Sequence, residues 1–155
     1  MESSKPLGYM LGKSLRVFRN QLAFEFKEKE IELTFDQFVI LHLLNSNCDL
    51  IQQDLANQLQ KDKSIIVRQI NGLLGNQYVV RLTNKEDKRK KNLILTKKGF
   101  EVLNQMKEIA SELSTKLLTG VSENELETFR NVLRKIQKNG GAEEEFFNCG
   151  LNQLK

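Results

Sequence analysis

The sequence predicts a mainly α-helical protein with one small β-hairpin. Apolar residues recur at helical spacing through most of the 155 residues. Two short strand-like runs, 78–82 and 93–95, flank a polar stretch, which is typical of a hairpin. Because a chain of this length fits one domain comfortably, we expect a single fold over residues 1–155.

The first helix is predicted from residue 8 to about residue 29. Met10, Val17 and Phe24 lie off its main apolar stripe, which has spacings of three and four residues. That stripe consists of Leu11, Leu15, Phe18, Leu22 and Phe26. A helix with apolar residues on more than one side must bury both, either within the subunit or against a partner chain.

The second helix is predicted to begin after Thr34 and to run to about Asn45. Thr34 and Gln37 have the spacing of a capping box, and Leu33 and Phe38 flank them as a hydrophobic staple. The same staple pattern recurs at Thr96 and at Ser122. These signals fix the starts of two C-terminal helices, from about residue 97 to Thr119 and from Ser122 to about Asn139.

Between these parts, a short helix from Gln52 to Gln60 precedes a second one that starts at Asp62, predicted to be a good N-cap. Only a few residues around Lys61 join them, which is typical of a helix-turn-helix. Ile66, Ile70, Leu73 and Leu74 form one stripe of the second helix and must face inward. In such a motif the second helix enters a DNA groove, and the N-terminal amides near Gln52 and Gln53 are placed to hold a phosphate.

The outer face of the helix from Asp62 to Leu74 carries side chains that suit a DNA major groove. They are Lys63, Ser64, Val67, Arg68 and Asn71. Arg can bind guanine, Asn can bind adenine, and a methyl-bearing side chain can contact the thymine methyl group. Taken alone, the pattern is more typical of an ordinary amphipathic surface helix, and the basic hairpin that follows favours the DNA-binding interpretation.

The hairpin and its polar tip, called the wing here (residues 78–95), concentrate positive charge. Residues 61–98 contain 11 Lys and Arg against 3 Asp and Glu, a net +8, while the rest of the chain has 13 against 17, a net −4. The overall +4 is therefore a localised patch, as expected for binding phosphates.

Several short motifs make the chain resemble the MarR family of winged helix-turn-helix regulators from about residue 8 to residue 138. The wing signature is Asp87-x-Arg89 followed after five residues by Leu95-Thr96-x-x-Gly99. Gln53-Asp54-Leu55-Ala56 and Asp62-x-Ser64 precede it in the family's order. Two positions depart from the family: Ile51 replaces a hydroxyl N-cap, and Gln77 replaces the usual turn glycine.

The resemblance implies a function and a residue set. It implies a homodimeric, sequence-specific regulator of transcription that binds a palindromic operator in double-stranded DNA, most simply a repressor released by a small-molecule effector. Helices 8–30 and 100–138 would form a dimerisation lobe, and 34–98 the winged helix-turn-helix lobe. In the wing, Asp87 would brace Arg89 in the minor groove, while Lys88, Lys90 and Lys91 would contact phosphates. The effector-binding residues stay unassigned.

Other classes find little support in the residues. There is no Ser/His/Asp set, no paired carboxylates, no phosphate-binding glycine loop and no metal-spaced cluster, so we expect no enzyme, no metal and no cofactor. No apolar run is long enough for a membrane span, and no signal peptide is recognisable, which predicts a cytoplasmic protein.

Three alternatives remain open. Cys48 could make the regulator redox-responsive if it is exposed and electropositive, whereas Cys149 and Cys48 as free thiols are the default. The basic wing could instead bind RNA or an acidic protein. The tail, residues 140–155, is either disordered or docks Phe146 and Phe147 on the dimerisation lobe.

Overall fold

The computed structural model describes residues 5–46 and 49–142. Within these ranges the chain forms helices and one two-stranded antiparallel hairpin, so the expected fold class is confirmed. The helices are α1 Leu7–Glu28, α2 Phe35–Ser46, α3 Gln52–Leu59, α4 Lys63–Gly75, α5 Lys97–Leu117 and α6 Glu123–Asn139, and the strands are β1 Val79–Thr83 and β2 Lys91–Leu95.

The predicted helix starts are confirmed by their hydrogen bonds. The main-chain N–H of Thr34 donates to Gln37 Oε1 (3.0 Å), and that of Gln37 donates to Thr34 Oγ1 (3.1 Å). Ser122 and Glu125 form the same reciprocal pair, and Thr96 Oγ1 accepts from the N–H of Gly99. Each cap satisfies main-chain donors that a helix leaves unpaired at its N-terminus.

One continuous apolar core joins α1 to α5. Its largest fully buried side chains include Phe26 of α1, Ile40 of α2, Leu55 of α3, Ile70 of α4 and Met106 of α5. Burying each such side chain contributes roughly 1.5–3 kcal/mol. The α3–α4 pair is thus fixed to the helical body through shared core residues.

The predicted stripe of α1 is buried only at its C-terminal end. Leu22 and Phe26 belong to the core, whereas Leu15 is exposed, as are Met10 and Phe24 off the stripe. The N-terminal half of α1 therefore presents apolar side chains on the surface of the single chain.

The hairpin is longer in strand than expected. Val79 pairs with Leu95 and Thr83 with Lys91, so the tip comprises residues 84–90 and not 84–92. At the last pair, Lys91 Nζ also donates to Thr83 Oγ1 across the strands (2.7 Å). On the other edge of β2, the N–H of Leu93 donates to the carbonyl of Leu50 (2.8 Å), which connects the hairpin to the start of α3.

The junction between the hairpin and α5 explains the glycine of the wing signature. A Cβ at Gly99 would overlap the carbonyl oxygen of Tyr78. Thr96 completes the joint, since its main-chain N–H donates to that same carbonyl (3.1 Å) and its Oγ1 donates to the carbonyl of Gln77 (2.7 Å). The close approach of the Tyr78 main chain, just before β1, to α5 therefore requires a residue without a side chain at position 99.

Candidate nucleic-acid interface

The second helix of the helix-turn-helix, α4, buries one face and exposes the other, as the sequence indicates. Ile66, Ile70 and Leu73 are buried, and Leu74 is half-buried against the core. On the opposite face the structure exposes Lys63, Ser64, Arg68 and Asn71, with Val67 half-buried. The predicted groove-facing residues therefore lie together on one surface of one helix.

The main chain of α4 is held against the start of α2. The buried Gln37 donates from Nε2 to the carbonyl of Gln69 (3.3 Å), and Thr34 Oγ1 donates to Gln69 Oε1 (3.2 Å). At Gly72 a Cβ would lie 2.8 Å from Gln37 Nε2. The position of α4 is thus set by both apolar packing and polar contacts.

The N-cap role predicted for the Asp62 side chain is wrong. Asp62 occupies the N-cap position, but its carboxylate makes no capping hydrogen bond. The main-chain carbonyl of Asp62 accepts from the N–H of Ile65 (3.0 Å) and of Ile66 (3.2 Å), so the N–H that a side-chain cap would bind is already paired.

The turn before α4 is attached to the helical body by charge. The carboxylate of Asp36 contacts Lys61 Nζ at 2.8 Å and Arg19 Nη2 at 3.2 Å, joining α2 to the α3–α4 turn and to α1. Arg19 also lies over the ring of Phe35, with its guanidinium carbon 4.9 Å from the ring centroid. These contacts limit how α3 and α4 can rotate relative to α1.

At the start of α3, one half of a capping box is present although the N-cap residue has no hydroxyl. The N–H of Ile51 donates to Asp54 Oδ2 (2.9 Å), but the Ile51 side chain caps nothing in return. Gln53 bonds Asn57 within α3, and Gln52 Oε1 accepts from Arg81 Nη2 (3.3 Å). Gln52 and Gln53 therefore lie at the start of α3, where the sequence predicted a phosphate contact.

The Asp-x-Arg pair forms the tip of the wing. Asp87 Oδ1 accepts from the main-chain N–H of Arg89 (3.0 Å) and from its Nε (3.2 Å). These two bonds, the main-chain one first, hold the pKa of the Asp87 carboxyl below its ordinary value. The Arg89 side chain is 92% exposed, so a residue that is fixed at its base extends into solvent.

An open cleft of about 510 Å³ lies between α3, the start of α4 and the wing. It is lined by Ile51, Gln52, Gln53, Lys63, Arg81, Arg89, Lys90, Lys91 and Leu93. Five of these side chains are cationic and none is acidic. The fold therefore gathers the basic residues of two separate elements around one concave surface, while Lys88 is exposed beside it on the wing tip.

Arg81 is a member of this cleft that the sequence did not identify as a site residue. It lies in β1 opposite Leu93, and its side chain extends back to Gln52 of α3, 29 residues away in the chain. The available signal was a single cation within an apolar strand run. Its role becomes clear only from the register, which pairs Arg81 with Leu93 of β2, the strand that contacts α3.

The structure also bears on the predictions about the cysteines, the C-terminal tail, metal binding and membrane spans. Cys48, Cys149, Phe146 and Phe147 lie outside the described residues. Among the residues that the structure does describe, no group of His, Cys, Asp and Glu could hold a metal ion. No helix in that part of the chain is long and apolar enough to cross a membrane.

The fold and this basic surface define a winged helix-turn-helix protein. The model of the MarR family matches residues 33–91 of this chain. The resemblance inferred from the wing signature is thus confirmed.

Solved structures extend the likeness beyond the matched segment. A MarR transcriptional regulator from Methanosarcina mazei Go1 is 25% identical, with a TM-score of 0.77 over 86% of this chain and 95% of that one. The repressor CouR, solved bound to a 23-mer DNA duplex, is 26% identical with a TM-score of 0.77 over 87% and 94%. The regulator SlyA shares the fold at 24% identity, with a TM-score of 0.78 over 88% and 94%.

Proposed function

We propose that this chain is a sequence-specific regulator of transcription that binds double-stranded DNA. The observation that carries the proposal is the single cationic surface formed by α4, the start of α3 and the wing. A groove-sized helix beside a basic hairpin has the geometry with which winged helices bind a major groove and the adjacent minor groove. CouR, which has the same fold, is solved on a DNA duplex.

Within this function, each side of the surface has a distinct role. Lys63, Ser64, Val67, Arg68 and Asn71 of α4 contact base edges and nearby phosphates in the major groove. The start of α3, with Gln52 and Gln53, holds a phosphate, and Arg89 enters the minor groove. Lys88, Lys90 and Lys91 supply sequence-independent attraction to the DNA backbone.

We also infer that the functional unit is a homodimer formed by residues 8–30 and 100–138, outside the winged lobe 34–98. Not one residue of α6 is buried in the single chain, and its Phe129, Val132 and Ile136 are 50%, 45% and 40% exposed. Exposed apolar side chains also mark α1, at Leu7 and Met10. Clustered apolar surface of this kind favours a protein interface, and a second copy would present two recognition helices to a palindrome.

Repression and relief by a small effector are the finer part of the proposal. They are supported by the family and by the description of CouR as a transcriptional repressor. The described residues assign no effector site. A protein with this role acts in the cytoplasm as a regulator and not as an enzyme.

Selection of bound duplexes from a random DNA pool tests the main proposal. We expect an enriched palindrome whose half-sites are about one helical turn apart, roughly 34 Å. Affinity for it should fall steeply as salt rises, because phosphate contacts release counterions. The proposal is wrong if no duplex is enriched. If single-stranded RNA or an acidic protein binds tightly in the same assay, that molecule is the partner.

Light scattering tests the assembly separately. At micromolar concentration we expect twice the mass of the 17.9 kDa chain. A matched change of Val132→Asp and Ile136→Asp on α6 should give the monomer and remove preference for palindromes over single half-sites. If the parent protein has the mass of a monomer and still prefers palindromes to single half-sites, the proposed homodimer is wrong.

A further inference from the structure

Asn92 is buried at the base of the wing although its side chain is polar. It lies in β2 with 6% of its surface exposed, next to the exposed Lys91. An amide buried without partners costs free energy, so its hydrogen bonds decide whether it is tolerated. Both ends of the Asn92 amide are bonded, and the two bonds lead to different parts of the molecule.

One bond leads to the connection between α2 and α3. Asn92 Nδ2 donates to Asp49 Oδ1 at 3.1 Å. Asp49 has a φ of 61°, a left-handed conformation that Asp tolerates better than most residues. The nearby main-chain bond from Leu93 to Leu50 fixes β2 to the same connection. Asn92 is therefore anchored to the helical body by a side chain that the backbone holds in an uncommon conformation.

The other bond leads toward the wing tip. Asn92 Oδ1 accepts from Asn84 Nδ2 at 3.3 Å. Asn84 Oδ1 in turn accepts from the main-chain N–H groups of Glu86 (2.9 Å) and Asp87 (3.0 Å), which shapes the turn. Asp87 then bonds Arg89. An unbroken series of hydrogen bonds thus connects Asp49, through Asn92, to the exposed arginine.

We propose that Asn92 is a positioning residue for DNA binding, which fixes the wing tip so that Arg89 is held in one direction before DNA arrives. The proposal rests on the proposed function of the wing. Asn92 touches no DNA itself. Its effect is entropic, because a tip that is already ordered loses less conformational freedom on binding.

The competing explanation is that Asn92 serves stability alone. In that case, removing the Asn92 amide would lower the melting temperature. It would also weaken DNA binding by the same factor whether position 89 holds Arg or Ala. Positioning instead requires the effect of Asn92 to depend on Arg89. A double-mutant cycle measures this dependence.

The central variant is Asn92→Leu, which keeps the side-chain size and removes both hydrogen bonds. On the selected operator we expect Asn92→Leu to weaken binding about tenfold when it is introduced into the parent protein. Introduced into the Arg89→Ala variant, it should weaken binding about twofold or less. Lys88→Ala provides the matched control, since Lys88 is an exposed neighbour outside the series. In that background the loss should again be about tenfold.

A swap variant removes the ambiguity of a misfolded wing. Asn92→Asp sets two carboxylates against each other and should weaken binding. Adding Asp49→Asn restores a donor and an acceptor in reversed order, with the net charge of the parent. We expect the double variant to bind within about threefold of the parent. Equal losses in all three cycle backgrounds, or no recovery in the swap, would overturn the proposal.

Amide hydrogen exchange supplies a readout that needs no DNA. Asn92→Leu should speed exchange at Asp87 and Arg89 while leaving that of Ile70 in α4 unchanged. Unchanged exchange at the tip would refute the positioning role even if the parent binds DNA. If the parent selects no duplex but tip exchange still accelerates, the proposed DNA function fails while the ordering of the tip by Asn92 stands.

Discussion

Helix α4 and the tip of the wing flank the same cleft, yet different forces hold them in place. Ile66, Ile70 and Leu73 of α4 are buried in the core. The hairpin instead leaves Val80 and Ile94 exposed, and its tip is ordered by hydrogen bonds among polar groups. Changes beneath α4 should therefore alter folding, whereas changes in the tip should alter binding and leave folding nearly intact.

The largest expected effect is on the support of α4. Ile70→Ala should lower the free energy of unfolding by about 2–5 kcal/mol, because it leaves a cavity in a fully packed core. Ile94→Ala, on the exposed side of the hairpin, should change it by less than about 1 kcal/mol. Denaturant unfolding of both variants compares the two regions directly, and equal losses would remove the distinction.

Next in size is the loss of base recognition by α4. Arg68 is exposed one turn after Ser64, so Arg68→Ala should cost about 1–3 kcal/mol of binding at one operator position and relax the base preference there. Its melting temperature should match that of the parent. Titration on the operator and on random duplex separates the possibilities, since equal losses on both would mean a phosphate contact.

A smaller, shape-dependent effect is expected at the tip of the wing. Arg89→Ala should weaken binding more than Lys90→Ala, most strongly on sites flanked by A/T steps, whose narrow minor groove attracts arginine. Lys90→Ala should act equally on all sequences and reduce the salt slope by about one unit. Asp87→Ala should partly mimic the loss of Arg89. If Asp87→Ala binds DNA more tightly than the parent, and Arg89→Ala binds no more weakly than Lys90→Ala, then the tip acts only as a solvated basic loop.

The smallest effect is the pH response of the same pair. Hydrogen bonds from Arg89 lower the pKa of Asp87 in the folded state. The stability that these bonds give to the wing tip is therefore fully present above the ordinary carboxyl pKa, and it is lost as the pH falls through the lowered pKa. Wing order should therefore be constant near neutral pH. Carboxyl-carbon NMR should give a low midpoint for Asp87 that rises in Arg89→Ala without reaching the ordinary value, since the main-chain N–H remains. An unchanged midpoint would show that the side-chain bond contributes nothing.

The same comparison explains what the sequence could and could not predict. The buried face of α4 and the capping pairs at Thr34 and Ser122 depend on residues three or four positions apart, so periodicity and local chemistry reveal them. The bond of Asn92 to Asp49 joins residues 43 positions apart, and only the folded chain brings them together. Asp62 shows the limit of local rules, because its own main-chain carbonyl accepts from the N–H of Ile65, a group that its side chain was expected to cap.

Gln77, which stands where the MarR family usually has glycine, illustrates a different limit of prediction from sequence. Where glycine is usual, Gln77 has a φ of 62°, so the turn keeps its left-handed geometry despite a side chain that disfavours it. The sequence showed the replacement of glycine by Gln77 but did not define the geometry of the turn. The hydrogen bond from Thr96 to the Gln77 carbonyl, together with the junction at Gly99, holds the turn in that geometry.

The exposure of α6 bears on how folding depends on protein concentration, because Leu126 and Leu133 are only half-buried and no residue of this helix is buried in the single chain. An isolated helix of its 17 residues is only marginally stable in water, since helices of this length depend on packing. If α6 packs only when two chains meet, its helical content and the association equilibrium become one transition. Diluting the protein would then reduce both together, and the melting temperature would fall with chain concentration, as mass action requires for a fold that is completed by its own copy.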